Sequence, residues 1–176
     1  DTARQTANLR AEIPLSPSKA LALFWQEFLL GRYAQALEVA PAISFQAPKQ
    51  RGGWTIDSDS PGEILRRDSD LQGAWAYSLS IAGREQEAQD RLTAALSKVT
   101  AAIAPLAPRA DGKPPRKRDQ EAHDAILPYA TKAQRKLELW QHAVQFRKTV
   151  KNGTMPEVQR QYFSQQLNAL PILPDI

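Results

Sequence analysis

The sequence predicts an all-α protein built from antiparallel helical hairpins, and three observations lead there. Apolar residues recur at intervals of three and four along most of the chain, the spacing that lines one face of an α-helix. Prolines outnumber glycines, 13 to 8, and several stand where an apolar stretch begins, the one helical position at which a missing amide costs nothing. Turn glycines and β-branched runs are too sparse for a sandwich of strands.

Residues 1–12 mix apolar and polar positions and predict a short N-terminal helix. Ser16 followed by Pro17 is an N-cap with a first-turn proline, and Ala20, Leu21, Leu23, Phe24, Phe28 and Leu29 carry a helix of about four turns to Gly31. A shorter helix follows through Tyr33, Ala36, Leu37 and Ala40 until Pro41 interrupts it. Residues 41–60 turn rich in Pro, Gly, Gln and Ser and read as an ordered insertion loop, with a short extended piece at Trp54-Thr55-Ile56. Ser60-Pro61-Gly62-Glu63 then combines a cap, a first-turn proline and a capping-box glutamate. The helix it opens is expected to break or re-cap near Asp68 to Asp70, then to run through Leu71, Trp75, Leu79 and Ala82 to Gly83. Another helix from about Glu85 to about Ile103 turns Ala88, Leu92, Ala95, Leu96 and Val99 inward.

Residues 105–118 hold four prolines, a glycine and the basic cluster Lys113, Arg116, Lys117, Arg118, the composition of a linker. Asp119 is placed to cap the next helix, in which Pro128 imposes a kink or a break. Ala133, Leu137, Trp140 and Val144 continue the pattern to Asn152-Gly153, and Thr154 with Glu157 opens a last helix that Pro171 closes. The expected organisation is therefore hairpins over 1–104 with a loop at 41–60, a Pro/basic linker at 105–118, and a C-terminal helical pair over 119–176 docked on the first part.

Within the hairpins, Ala76, Leu79, Gly83, Ala88, Leu92 and Ala95 fall at the small and apolar signature positions of a tetratricopeptide unit. Small residues let two antiparallel helices approach, and a glycine makes the bend between them. Gly31, Tyr33 and Ala36 carry a Gly-x-Tyr-x-x-Ala turn in the first segment, so residues 17–103 resemble two tetratricopeptide-like hairpins. The signature Trp is absent (Ala20 and Gln72 occupy that position), Phe24 replaces a small residue, and Pro41 shortens one helix. The glycines are 52 residues apart (83 minus 31), beyond the ~34 of a tandem array, so an insertion separates the units. The resemblance implies a right-handed stack whose first helices line a partner-binding face.

The length of 176 residues fits one domain, or one with an appended helical piece, since domains run to ~100–200 residues. The absence of Cys excludes disulfides, thiolate zinc sites and cysteine nucleophiles. No apolar run reaches the ~20 residues of a membrane span, so no transmembrane segment is expected. The chain begins at Asp1, which leaves room for a removed leader or anchor. The net charge of +4 is concentrated towards the end, where residues 109–176 hold 12 basic and 7 acidic groups.

No catalytic or metal signature stands out along the chain. His123 and His142 lie 19 residues apart (142 minus 123) with no helical i, i+4 partner, and read as mixed-charge helix surface. Asp57 and Asp59 lack the glycine and distal glutamate of a calcium loop and suit helix capping instead. Glu27 reads as solvated helix face, with no partner carboxylate for glycan chemistry. No catalytic residue, cofactor or metal is therefore assigned. The leading expectation is a non-catalytic protein-interaction or scaffold module, contacting a protein or peptide partner through Trp25 and Trp75 and through Arg116, Lys117 and Arg118. Two alternatives stand beside it: a nucleic-acid-associated protein using the basic C-terminal half, and a helical enzyme acting on cell-wall glycan. By analogy with such modules, a periplasmic or envelope setting, as part of a bacterial secretion or envelope assembly, is favoured over the cytoplasm.

Overall fold

The computed structural model describes residues 2–10, 17–43, 45 and 60–151, with 156, 157, 161 and 165. Among these the regular structure is entirely helical. Helix α1 (Thr2–Arg10) is followed by α2 (Pro17–Leu29), α3 (Tyr33–Val39), a 3₁₀ turn at Ala40–Ala42, α4 (Pro61–Ile81), α5 (Glu85–Ile103) and α6 (Lys117–Lys151). The 3₁₀ turn places Pro41 where the α-helical ladder of α3 stops. The remainder of the expected insertion loop, the cap at Ser16 and nearly all of the expected 154–170 helix lie outside the described residues.

The two hairpins are closed by the same bend. The Gly31 amide donates to Phe28 O at 3.0 Å and the Arg32 amide to Glu27 O at 2.9 Å; the Gly83 amide donates to Ser80 O at 3.1 Å and the Arg84 amide to Leu79 O at 2.9 Å. Each is a Schellman closure, which needs a left-handed residue, and Gly31 and Gly83 supply φ of 71° and 80°. Arg32 (φ −91°, ψ 65°) and Arg84 (φ −92°, ψ 60°) then open the following helices with one backbone geometry. Four residues on, Ala36 and Ala88 are fully buried, as small residues at a close helix approach must be.

Three local expectations need correction. Helix α4 is continuous through 68–70, because both carboxylates are taken up by side chains and the Ser69 hydroxyl bonds back one turn within the helix. The Ser69 hydroxyl donates to Leu65 O, Asp68 receives Gln72 and Lys98, and Asp70 receives Lys136. At its start Ser60 Oγ caps the Glu63 amide at 3.3 Å, while the Glu63 carboxylate accepts from Arg66. Helix α6 begins at Lys117, inside the expected linker, with Arg116 O receiving the amides of Asp119 and Gln120; Asp119 sits in the first turn and is not the cap. It also runs unbroken past Pro128, whose exposed ring lies between the His123 anchor on one side and buried Ala130, Ala133, Leu137 and Trp140 on the other.

What remains of the linker is folded. Gly112 N donates to Arg109 O at 2.8 Å and Arg109 N to Lys113 O at 2.9 Å, a reverse turn with Gly112 at φ 75°. Asp111 lies 3.5 Å from both Arg109 and Lys113 and draws two of the basic groups together.

Helices α4, α5 and α6 form an up-down-up bundle. Contacts between α4 and α6 keep a constant offset: Gly62 meets Tyr129, Asp70 meets Lys136, Gly73 meets Trp140 and Ser80 O meets Arg147, separations of 67, 66, 67 and 67 residues, so the two run parallel. Helix α5 packs against both, and the pairs Asp68 with Lys98 and Gln72 with Arg91 across the Gly83 bend show that it runs antiparallel to them. Since residue 129 is level with Gly62, residues 117–128 begin about 18 Å ahead of α4, at 1.5 Å per residue. His123 Nε2 at 2.9 Å from Ala104 O ties this extension to the end of α5.

The core is one cluster joining both hairpins to α6. Phe28 stands at its centre, ring centroids 5.4 Å from Tyr33, 6.1 Å from Tyr77 and 5.9 Å from Trp140. Edge-to-face geometry suits the ring quadrupoles, and these four rings bring α2, α3, α4 and α6 to one point.

Candidate functional site

A cleft of about 440 Å³ opens between α4 and α5 on charged walls and an alanine floor. Its residues come from mirror positions about Gly83. Trp75 and Arg91 are each eight residues from the bend (83 minus 75, 91 minus 83), and Asp68 and Lys98 each fifteen, so antiparallel pairing sets them at equal height. The Arg91 guanidinium carbon lies 3.5 Å from the Trp75 ring centroid, a cation–π stack. Arg91 Nη1 donates to Gln72 Oε1 at 2.7 Å, the Gln72 amide donates to Asp68 Oδ1 at 3.0 Å, and Lys98 Nζ reaches Asp68 Oδ2 at 2.8 Å. One polar relay therefore crosses the two helices and holds Gln72 with its carbonyl oxygen towards Arg91.

Further down the same wall, Glu87 pairs with Arg84 at 2.6 Å and Asp90 accepts from Gln86 at 2.8 Å. The Arg84 hydrogen bond holds the Glu87 carboxyl below the usual carboxylate range, and Glu87 in turn raises Arg84. Arg91 moves the other way. Burial lowers its pKa, only partly opposed by Asp68 and Glu87, and its Nε is buried with no hydrogen-bond partner among the described residues. A second depression, about 510 Å³ between α5 and α6, is lined by uncharged residues and offers no comparable anchor.

The residues expected from the sequence fall in three places. Trp75 is half-buried beneath Arg91, at the side of the cleft that Arg91 lines. Trp25 is half-buried on α2, edge-on to Phe24 and Phe28 at 5.5 and 5.7 Å, and has its own surroundings. Arg116, Lys117 and Arg118 are exposed together at the start of α6, with Lys117 3.7 Å from Glu121. Glu27 corrects its expectation as solvated surface, being fully buried with Arg32 Nη1 3.9 Å from its carboxylate. A carboxylate without exposed surface presents nothing to a glycan. His123 is likewise drawn inward, its side chain 12% exposed against Ala104 O.

Gln72, Arg91, Asp68 and Lys98 were missed by a reading that followed apolar stripes. For Asp68 with Lys98, and for Arg91 with Trp75, the signal was the mirror spacing about Gly83, which a hairpin converts into contact. No protein-family model, curated protein or solved structure matches the chain.

Proposed function

We propose that this chain is a non-catalytic protein-interaction module of tetratricopeptide-like design, with the cleft between α4 and α5 as its contact surface. The repeated Schellman bend at a 52-residue offset supports a duplicated hairpin, and α6 lies parallel to α4 where the first helix of a following unit would pack. The observation that carries the functional reading is Arg91, which lines an open, charge-lined groove and stacks on the half-buried Trp75 beside it, since Trp and Arg dominate the binding energy of protein interfaces. A photo-crosslinking residue placed at Ala94, which lines the groove and is exposed, tests it in native cells. A discrete crosslinked partner that disappears with Trp75→Ala is the expected result. Labelling no different from that of a crosslinker at Ala110, exposed in the linker turn, would remove the reading.

One observation favours a second reading. Arg116 and Arg118 stand exposed at the positive end of the α6 dipole with no acidic partner among the described residues, an arrangement that a polyanion would relieve. Duplex DNA retarded at low salt, and released by charge reversal at Arg116, Lys117 and Arg118, would favour nucleic acid; an unretarded duplex would end that reading.

A further inference from the structure

We infer that the α4 and α5 cleft receives a single acidic side chain, Asp or Glu, from within a partner peptide segment, with Arg91 as its seat; this rests on the interaction reading above. Three observations converge on Arg91. Its guanidinium is already positioned, stacked 3.5 Å from the Trp75 centroid and held by Gln72 at 2.7 Å, so little freedom is left to lose on binding. Nearly every other charge on the walls is satisfied within the chain: Asp68 by Lys98 and Gln72, Glu87 by Arg84, Asp90 by the Gln86 amide. Arg91 alone among the lining cations has no carboxylate at ion-pair distance among the described residues, and its buried Nε lacks an acceptor. A half-buried guanidinium fixed in place at the edge of a cleft is well suited to a carboxylate or phosphate.

The walls decide between those two. Asp68, Glu87 and Asp90 line the cleft with Arg91 and Lys98, three acidic groups to two basic, so the net −1 of the walls repels a phosphate of about −2 more than a side chain of −1. Ala94 and Ala95 on the floor match an aliphatic stem, and the groove is long enough for neighbouring residues of an extended or helical segment.

A phage-displayed library of random peptides selected on the full chain tests this, with selected peptides resynthesised as Asp/Glu, Asn/Gln and phosphoserine versions. The expected outcome is enrichment of an internal acidic residue beside apolar ones, with binding about tenfold weaker in the amide version, since a charge-assisted hydrogen bond is at stake. The same loss should follow Arg91→Lys, which keeps the charge and the helix but not the fork, with circular dichroism unchanged. Peptides that bind, depend on Trp75, and yet tolerate the amide version or prefer phosphoserine would overturn the acidic seat and leave the interaction reading standing. A library that yields no Trp75-dependent binder would overturn both.

Discussion

Gly73 lies against the Trp140 ring so closely that a Cβ would enter it, and Trp140 is fully buried with no direction in which to retreat. Gly73→Ala should therefore destabilise by about 1–3 kcal/mol in urea unfolding, overpacking outweighing the roughly 1 kcal/mol that alanine gains in a helix. Gly62 meets Tyr129 in the same way, but Tyr129 is only half-buried and its ring can swing outward, so Gly62→Ala should cost clearly less. Tyr33 supplies a pH-dependent test. Burial pushes its hydroxyl up to about 12, Tyr77 adding to and Arg147 opposing the rise, against an ordinary value of 10.0. Between those values the unfolded chain has lost a proton that the folded chain keeps. Its contribution is thus fully present below about pH 10 and is lost as the pH rises towards about 12. Tyr33→Phe should flatten that alkaline slope in urea midpoints. Because the hydroxyl is buried without a partner among the described residues, the same variant should change neutral-pH stability by no more than about 1 kcal/mol.

At the scale of elements, the bends and the register of α6 are the parts most open to test. A Cβ at Gly31 or Gly83 meets nothing within 4 Å, so substitution there probes backbone strain alone. Gly31→Ala and Gly83→Ala should each cost about 1–2 kcal/mol, the left-handed penalty of an L-residue, and equal costs would reflect the shared turn. Lys136 is the cation that meets Asp70 at 2.7 Å, with Arg66 at 4.0 Å behind it. Lys136→Met should cost about 2–3 kcal/mol, below the 3–5 of a wholly buried broken pair because Arg66 remains. The hairpins were legible in the sequence because a bend glycine and the alanines beside it act locally. The break or re-cap expected at 68–70 was not, since whether those polar side chains interrupt a helix depends on partners 30 and 66 residues away, Lys98 for Asp68 and Lys136 for Asp70.

For the molecule as a whole, the bundle of α4, α5 and α6 carries most of the buried core, while α1 buries Thr6 against α2 and little else that is described. Amide hydrogen exchange should accordingly be slowest in the middle of α4 and α6 and fastest in α1; comparable protection throughout would contradict a core centred on the bundle. The helical class, both hairpin bends and most inward-facing residues of the described helices were legible from residue order alone, because they follow from spacing along a helix and from the freedom of glycine at positive φ. The parallel course of α6 beside α4, the burial of Glu27 and the opening of the cleft beside Arg91 came from the packing of the helices. These depend on which helices meet and at what height, and no local pattern of residues encodes that.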